Sequence, residues 1–72
     1  MRSDAELQRD VLDELRRDGR LHIDDLDVKV EGHVVTLTGR AETMVECWRA
    51  QQVARYVAGM ARVSNRIVVG PL

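Results

Sequence analysis

Phenylalanine is absent, and tryptophan, tyrosine, cysteine and proline each occur once in 72 residues. Each scarcity excludes something. With Trp48 and Tyr56 as its whole aromatic stock, the chain is poorly equipped to stack bases, the usual device of single-strand nucleic-acid binders. With Cys47 alone, no intramolecular disulfide can form, and no CxxC or Cys/His spacing offers a structural zinc site. No apolar run approaches the roughly 18 residues that span a bilayer, and "MRSDAELQRD" has no apolar stretch typical of a secretory signal. A net charge of −1 lacks the positive excess expected of a nucleic-acid module. Localisation is then expected to be cytoplasmic if the chain is complete, or periplasmic and envelope-associated if it is part of an exported protein.

The aliphatic content must therefore build one small domain near the lower size limit for an unaided core. Its charge is unevenly distributed. Residues 1–32 carry ten acids against six bases, and residues 33–72 carry two acids against five arginines. The halves thus stand at −4 and +3, which predicts an electrically lopsided molecule.

Ser3 and Glu6 have capping-box spacing, which predicts a helix starting at Asp4. Leu7, Val11 and Leu15, widened by Leu12, form its buried stripe. Asp18-Gly19 is expected to end it, with glycine accepting the left-handed position. Leu21 and Ile23 are expected to tuck the connecting loop onto the core, with Asp24 and Asp25 solvated beside them.

In "LDVKVEGHVVTLTG" the apolar residues alternate on both sides of Gly32-His33. A two-residue turn there sets Val30 against Val35, Val28 against Leu37 and Leu26 against Gly39, so apolar residues share one face. A Gly-X pair predicts a type II′ turn, with positive φ at Gly32. Residues 42–58 read as a second helix with a stripe of Cys47, Ala50, Ala54 and Val57, capped by Gly59. Val63, Ile67 and Val69 share a parity in a third strand ended by Gly70-Pro71. The fold class is α+β, in the order α-β-β-α-β: a three-stranded mixed sheet with both helices packed on one face.

"LDVKV", "GHVVTLTG", Ala50 with Ala54, and "VAGMARVSNRIVV", in that order and at that spacing, resemble the BON domain. This small module is named after a bacterial osmotic-stress protein and nodulation proteins, and the resemblance runs from about Asp4 to Val69. It implies an α-β-β-α-β fold and a non-enzymatic role. Proteins similar to this are mostly associated with the bacterial envelope, where attachment to phospholipid is the commonly proposed activity. Other relatives sit beside regulatory or pore-forming domains. The sequence departs from the family's habits in having Gly19 where proline is common, Met60 where valine is, and Gly32-His33 where Asp-Gly or Asn-Gly is. The family has no shared catalytic residues to carry over.

The residues themselves offer no catalytic constellation. His33 belongs to a tight turn and is expected in solvent. Cys47 falls on an apolar stripe, where a thiol behaves as a small hydrophobe. "GHVVTLTG" is not a phosphate loop, because it crosses a strand rather than opening a helix. No cofactor, metal or nucleic acid is expected.

Trp48 does not fit a purely structural account. On the helical wheel it turns away from the Ala50/Ala54 stripe and groups with Met44, Val45, Gln52 and Arg55. It either covers a core edge or anchors the chain to a surface, since indole favours bilayer and protein interfaces. Two expectations follow. The first is attachment to an anionic phospholipid surface through Met44, Trp48, Arg49 and Arg55. The second is a protein-interaction or self-association surface on the open sheet face around Val34, Thr36, Arg66 and Val68. That face would dock a protein partner, a second copy or a tandem neighbouring domain.

Overall fold

The structure, a computed structural model, describes residues 2–70. The first helix, α1, spans Asp4–Arg17 and starts with the expected reciprocal cap. The Glu6 N–H donates to the Ser3 hydroxyl at 3.1 Å, and the Ser3 N–H donates to the Glu6 carboxylate at 3.0 Å. Its stripe of Leu7, Val11 and Leu15 is buried. The end differs from expectation. Asp18 caps in extended geometry (φ −77°, ψ 106°), and Gly19 has no positive φ. The Asp18 carboxylate instead accepts from the Arg20 N–H at 3.0 Å and from its guanidinium, so a side chain turns the corner that glycine was expected to turn.

Strand β1 spans Ile23–Glu31 and β2 spans Val34–Ala41, joined by Gly32-His33 in an antiparallel hairpin. Val28 pairs with Leu37 and Val30 with Val35, in the expected register. Three details depart from the sequence reading. First, Gly32 and His33 both have positive φ (56° and 63°), which defines a type I′ turn rather than II′. Its twist matches that of the flanking strands. Second, β1 begins at Ile23, so Asp24 and Asp25 lie in a strand, not a loop. Third, Leu26 does not pair with Gly39. The register slips between Asp24 and Asp27, so Asp25 (φ 54°) and Leu26 together oppose Gly39 in a bulge.

The chain then forms α2, Met44–Ala58, capped by the Thr43 hydroxyl, which accepts from the Glu46 N–H. Gly59 ends it with φ +63°, as expected. The third strand is broken into β3, Arg62–Asn65, and β4, Val68–Val69, both parallel to β2. Asn65 holds the break. Its Oδ1 accepts from the Ile67 N–H at 3.1 Å, while Nδ2 donates to the Cys47 carbonyl at 3.1 Å and to Gln51 Oε1 at 3.3 Å. The polar side chain thus reaches inward where the strand pattern had no apolar residue to offer.

The sheet order is β1-β2-β3, with β4 continuing beside β2. Val11, Leu15, Val28, Val35 and Leu37 are among the most buried side chains, closed over by Ala50, Ala54 and Ala58 of α2. Alanine at those positions lets the helix lie close to sheet and neighbour. Cys47 is only half-buried against this core, less enclosed than expected. The N-terminus of α1 also locks the hairpin: the Asp4 carboxylate accepts from the Gly32 and His33 N–H groups at 3.0 and 3.3 Å.

Candidate functional site

The sheet has one face under the helices and one left open, and the two sets of surface candidates fall on opposite sides of the molecule. On the helical side, alanines fix which face of α2 turns inward. That choice forces Met44, Val45, Trp48 and Tyr56 outward. They are 68, 61, 60 and 91 % exposed, so Trp48 covers no core edge. Met44, Trp48, Gln52 and Tyr56 follow one another at four-residue steps, a ridge about 18 Å long at 1.5 Å per residue. Met60, just past the helix, is fully exposed as well. Both aromatic side chains of the chain are therefore held in water on one helix.

Tyr56 was not singled out from sequence, although the signal was there. It stands two four-residue steps beyond Trp48, on the ridge the wheel had begun to trace.

Between this ridge and the end of α1 lies an open groove of about 640 Å³, lined by Trp48, Arg49, Gln52 and Tyr56 opposite Glu14, Arg17, Asp18 and Arg20. Its charges sort into paired and unpaired. Arg17 bridges Glu14 at 2.9 Å and Arg20 bridges Asp18 at 3.1 Å. The Arg20 hydrogen bonds, with a smaller contribution from Arg49, hold the Asp18 carboxyl below its ordinary range. The acids are thus already compensated. Among the described residues, Arg49 and Arg55 make no ion pair, which leaves them as net cations beside the aromatic ridge.

On the other side, Val34 and Thr36 of β2 are half-buried, and Arg66 and Val68 stand in solvent. The parallel register brings these four onto one open face, with Val34 beside Arg62, Thr36 beside Ser64 and Arg40 beside Val68. His33 lies exposed at the hairpin tip, 3.8 Å from Asp4. His22 is exposed, with its N–H bonded to Glu46. Among the described residues no three His, Cys, Asp or Glu side chains converge as a metal site would require. Among the described residues no helix is long and apolar enough to cross a membrane.

Two helices on one face of a mixed α-β-β-α-β sheet define a small α+β module, with an exposed ridge along its second helix. The sequence matches the BON domain family over residues 3–71, nearly the whole chain, and the protein belongs to that family of non-catalytic binding modules. No curated protein matches it in sequence.

Proposed function

We propose that this BON domain attaches to anionic phospholipid surfaces, such as those of the bacterial envelope, through the outer face of α2. The observation that carries this reading is the solvent-exposed pair Trp48 and Tyr56, on one helix face with the unpaired cations Arg49 and Arg55. Folding leaves these apolar groups hydrated, although they are the largest side chains the chain has. Indole and phenol rings lower their free energy at the headgroup level, where an apolar body and a polar tip are both accommodated. Arg49 and Arg55 add an attraction of about 1 kcal/mol each near an anionic surface. Met44 and Val45 extend the exposed apolar area at one end of the ridge.

Two cations and one short ridge give weak, reversible, salt-sensitive attachment. Co-sedimentation with vesicles tests it. Binding is expected to phosphatidylglycerol-containing vesicles at low salt, to weaken at moderate salt, and to be minimal on pure phosphatidylcholine. Trp48→Ala and the double variant R49Q/R55Q should each reduce it several-fold while leaving the far-UV spectrum unchanged. Absence of binding to anionic vesicles at low salt would overturn the proposal.

A further inference from the structure

The open sheet face carries a charge pattern that fits a second copy of itself. Its outward rows run across the three strands by register. Glu31, Val34 and Arg62 form one row, and Lys29, Thr36 and Ser64 the next. Continuing the parallel register that sets Val34 beside Arg62 and Arg40 beside Val68 places Arg66 beside Thr38, which pairs with Asp27. The Arg66 N–H donates to the Leu37 carbonyl at 2.9 Å, as that register requires. One edge of the face therefore carries Asp27 and Glu31 with Lys29 between them, the opposite edge is basic at Arg62 and Arg66, and the centre is the neutral row Val34, Thr36, Thr38. Asp27, Glu31, Arg62 and Arg66 are all exposed, and among the described residues none of them makes an ion pair within the chain.

We infer that the chain self-associates through this face, as a two-fold dimer whose axis runs along the strands. Rotation about that axis turns one sheet over onto the other and exchanges the two edges. Glu31 then faces the second copy's Arg62 and Asp27 faces its Arg66, each contact occurring twice, while the β2 rows stack on one another. The alternative two-fold axis, across the strands and centred on the Lys29 row for full overlap, sets Glu31 against Asp27, Lys29 against Lys29 and Arg62 against Arg66, so like charges disfavour it. The last row sets Arg40 near its own copy, with Asp24 beside it on the neighbouring strand in each chain. The layers stack α/β/β/α, which leaves both α2 ridges on the outside.

The area sets the strength. Three strands about 4.8 Å apart and four rows about 6.8 Å apart give a footprint near 400 Å² per copy, at the small end of interfaces that hold transient complexes. The dimer is accordingly weak and salt-sensitive.

Sedimentation equilibrium over roughly micromolar to millimolar chain concentrations covers the range expected of so small an interface. The dimer fraction is expected to rise with concentration and to fall with added salt. Glu31→Arg alone and Arg62→Glu alone should each abolish self-association, because each sets like charges face to face. Mixed one to one, the two variants should associate with each other, since both contacts between positions 31 and 62 are then again opposite in sign. Circular dichroism and thermal unfolding of each variant verify folding, as both side chains lie in solvent. Trp48→Ala should leave association unchanged. A chain that stays monomeric throughout, or variants that fail to restore association when mixed, would overturn the inference.

Discussion

Replacing Gly39 with alanine should cost this domain more stability than any other single-methyl addition to a glycine. The residue sits where β2 passes the two-against-one bulge of Asp25 and Leu26, and its φ is +144°. A Cβ built there comes to 2.8 Å from Ile23 Cγ2, 3.0 Å from the Asp24 carbonyl oxygen and 3.3 Å from Leu26 Cα. Two of those neighbours are backbone, so the strand itself must move. Overpacking of this kind costs about 1–3 kcal/mol, and holding an L-residue in that conformation costs about 1–3 kcal/mol more. The total, about 2–6 kcal/mol, compares with a stability of about 4–11 kcal/mol for a domain of this length. Roughly half the stability should disappear. Urea unfolding followed by far-UV circular dichroism measures it, with Gly19→Ala as the control. Gly19 has no atom within 4 Å of its would-be Cβ and no positive φ, so alanine there should change little. If the two variants unfolded within about 0.5 kcal/mol of one another, below the typical cost of a core fault, the bulge account of Gly39 would be refuted.

The remaining predictions concern the turn, the strand break and acid. In the type I′ turn, His33→Gly should stabilise the hairpin by about 0.5–1 kcal/mol by relieving a left-handed L-residue, whereas Gly32→Val should destabilise it by about 1–2 kcal/mol. Equal midpoints in thermal unfolding would contradict the turn assignment. Asn65→Leu should cost about 1–3 kcal/mol in the same assay, because it removes the acceptor for the Ile67 N–H and the tie to α2 at once. Glu6, Asp10 and Asp18 all have folded-state pKa values below their ordinary ones, through hydrogen bonds from Ser3, Arg2 and Arg20 respectively. The unfolded chain therefore takes up protons first as the pH falls, so their contribution is complete above about pH 5 and is lost through and below about pH 4. Glu6 is exposed and Asp10 and Asp18 are only partly covered, each bonded to a partner that is itself in solvent, so the effect is modest. Denaturant midpoints measured from pH 6 to about pH 3 should fall less steeply in the triple variant E6Q/D10N/D18N.

Much of this fold is legible locally, because the governing interactions are local. The Ser3/Glu6 box closes within one turn of α1, so composition and spacing suffice to place it. The pairing of Val28 with Leu37 and Val30 with Val35 follows from a two-residue turn and a period of two, with no knowledge of anything distant. The division of the sheet into an apolar and an open face follows from the same parity, and with it the location of Val34, Thr36, Arg66 and Val68. Charge segregation between the two halves of the chain was equally readable, and the sheet order preserves it by keeping β1 and β3 on opposite edges.

The tertiary structure decided the rest, wherever a residue's state depends on what arrives from far along the chain. The hairpin's alternation runs on through Leu26, and only the pairing of Ile23 with Ala41 forces the bulge and aims Gly39 at the opposite backbone. Type I′ geometry at His33 suits strand twist and the Asp4 carboxylate, which sits 29 positions earlier in sequence. The third strand breaks because Asn65 finds partners on α2, a contact no periodicity encodes. Trp48 was ambiguous for the same reason. A wheel fixes which residues share a face of α2, whereas only the packing of α1 and the sheet against that helix decides how much of the opposite face remains in water.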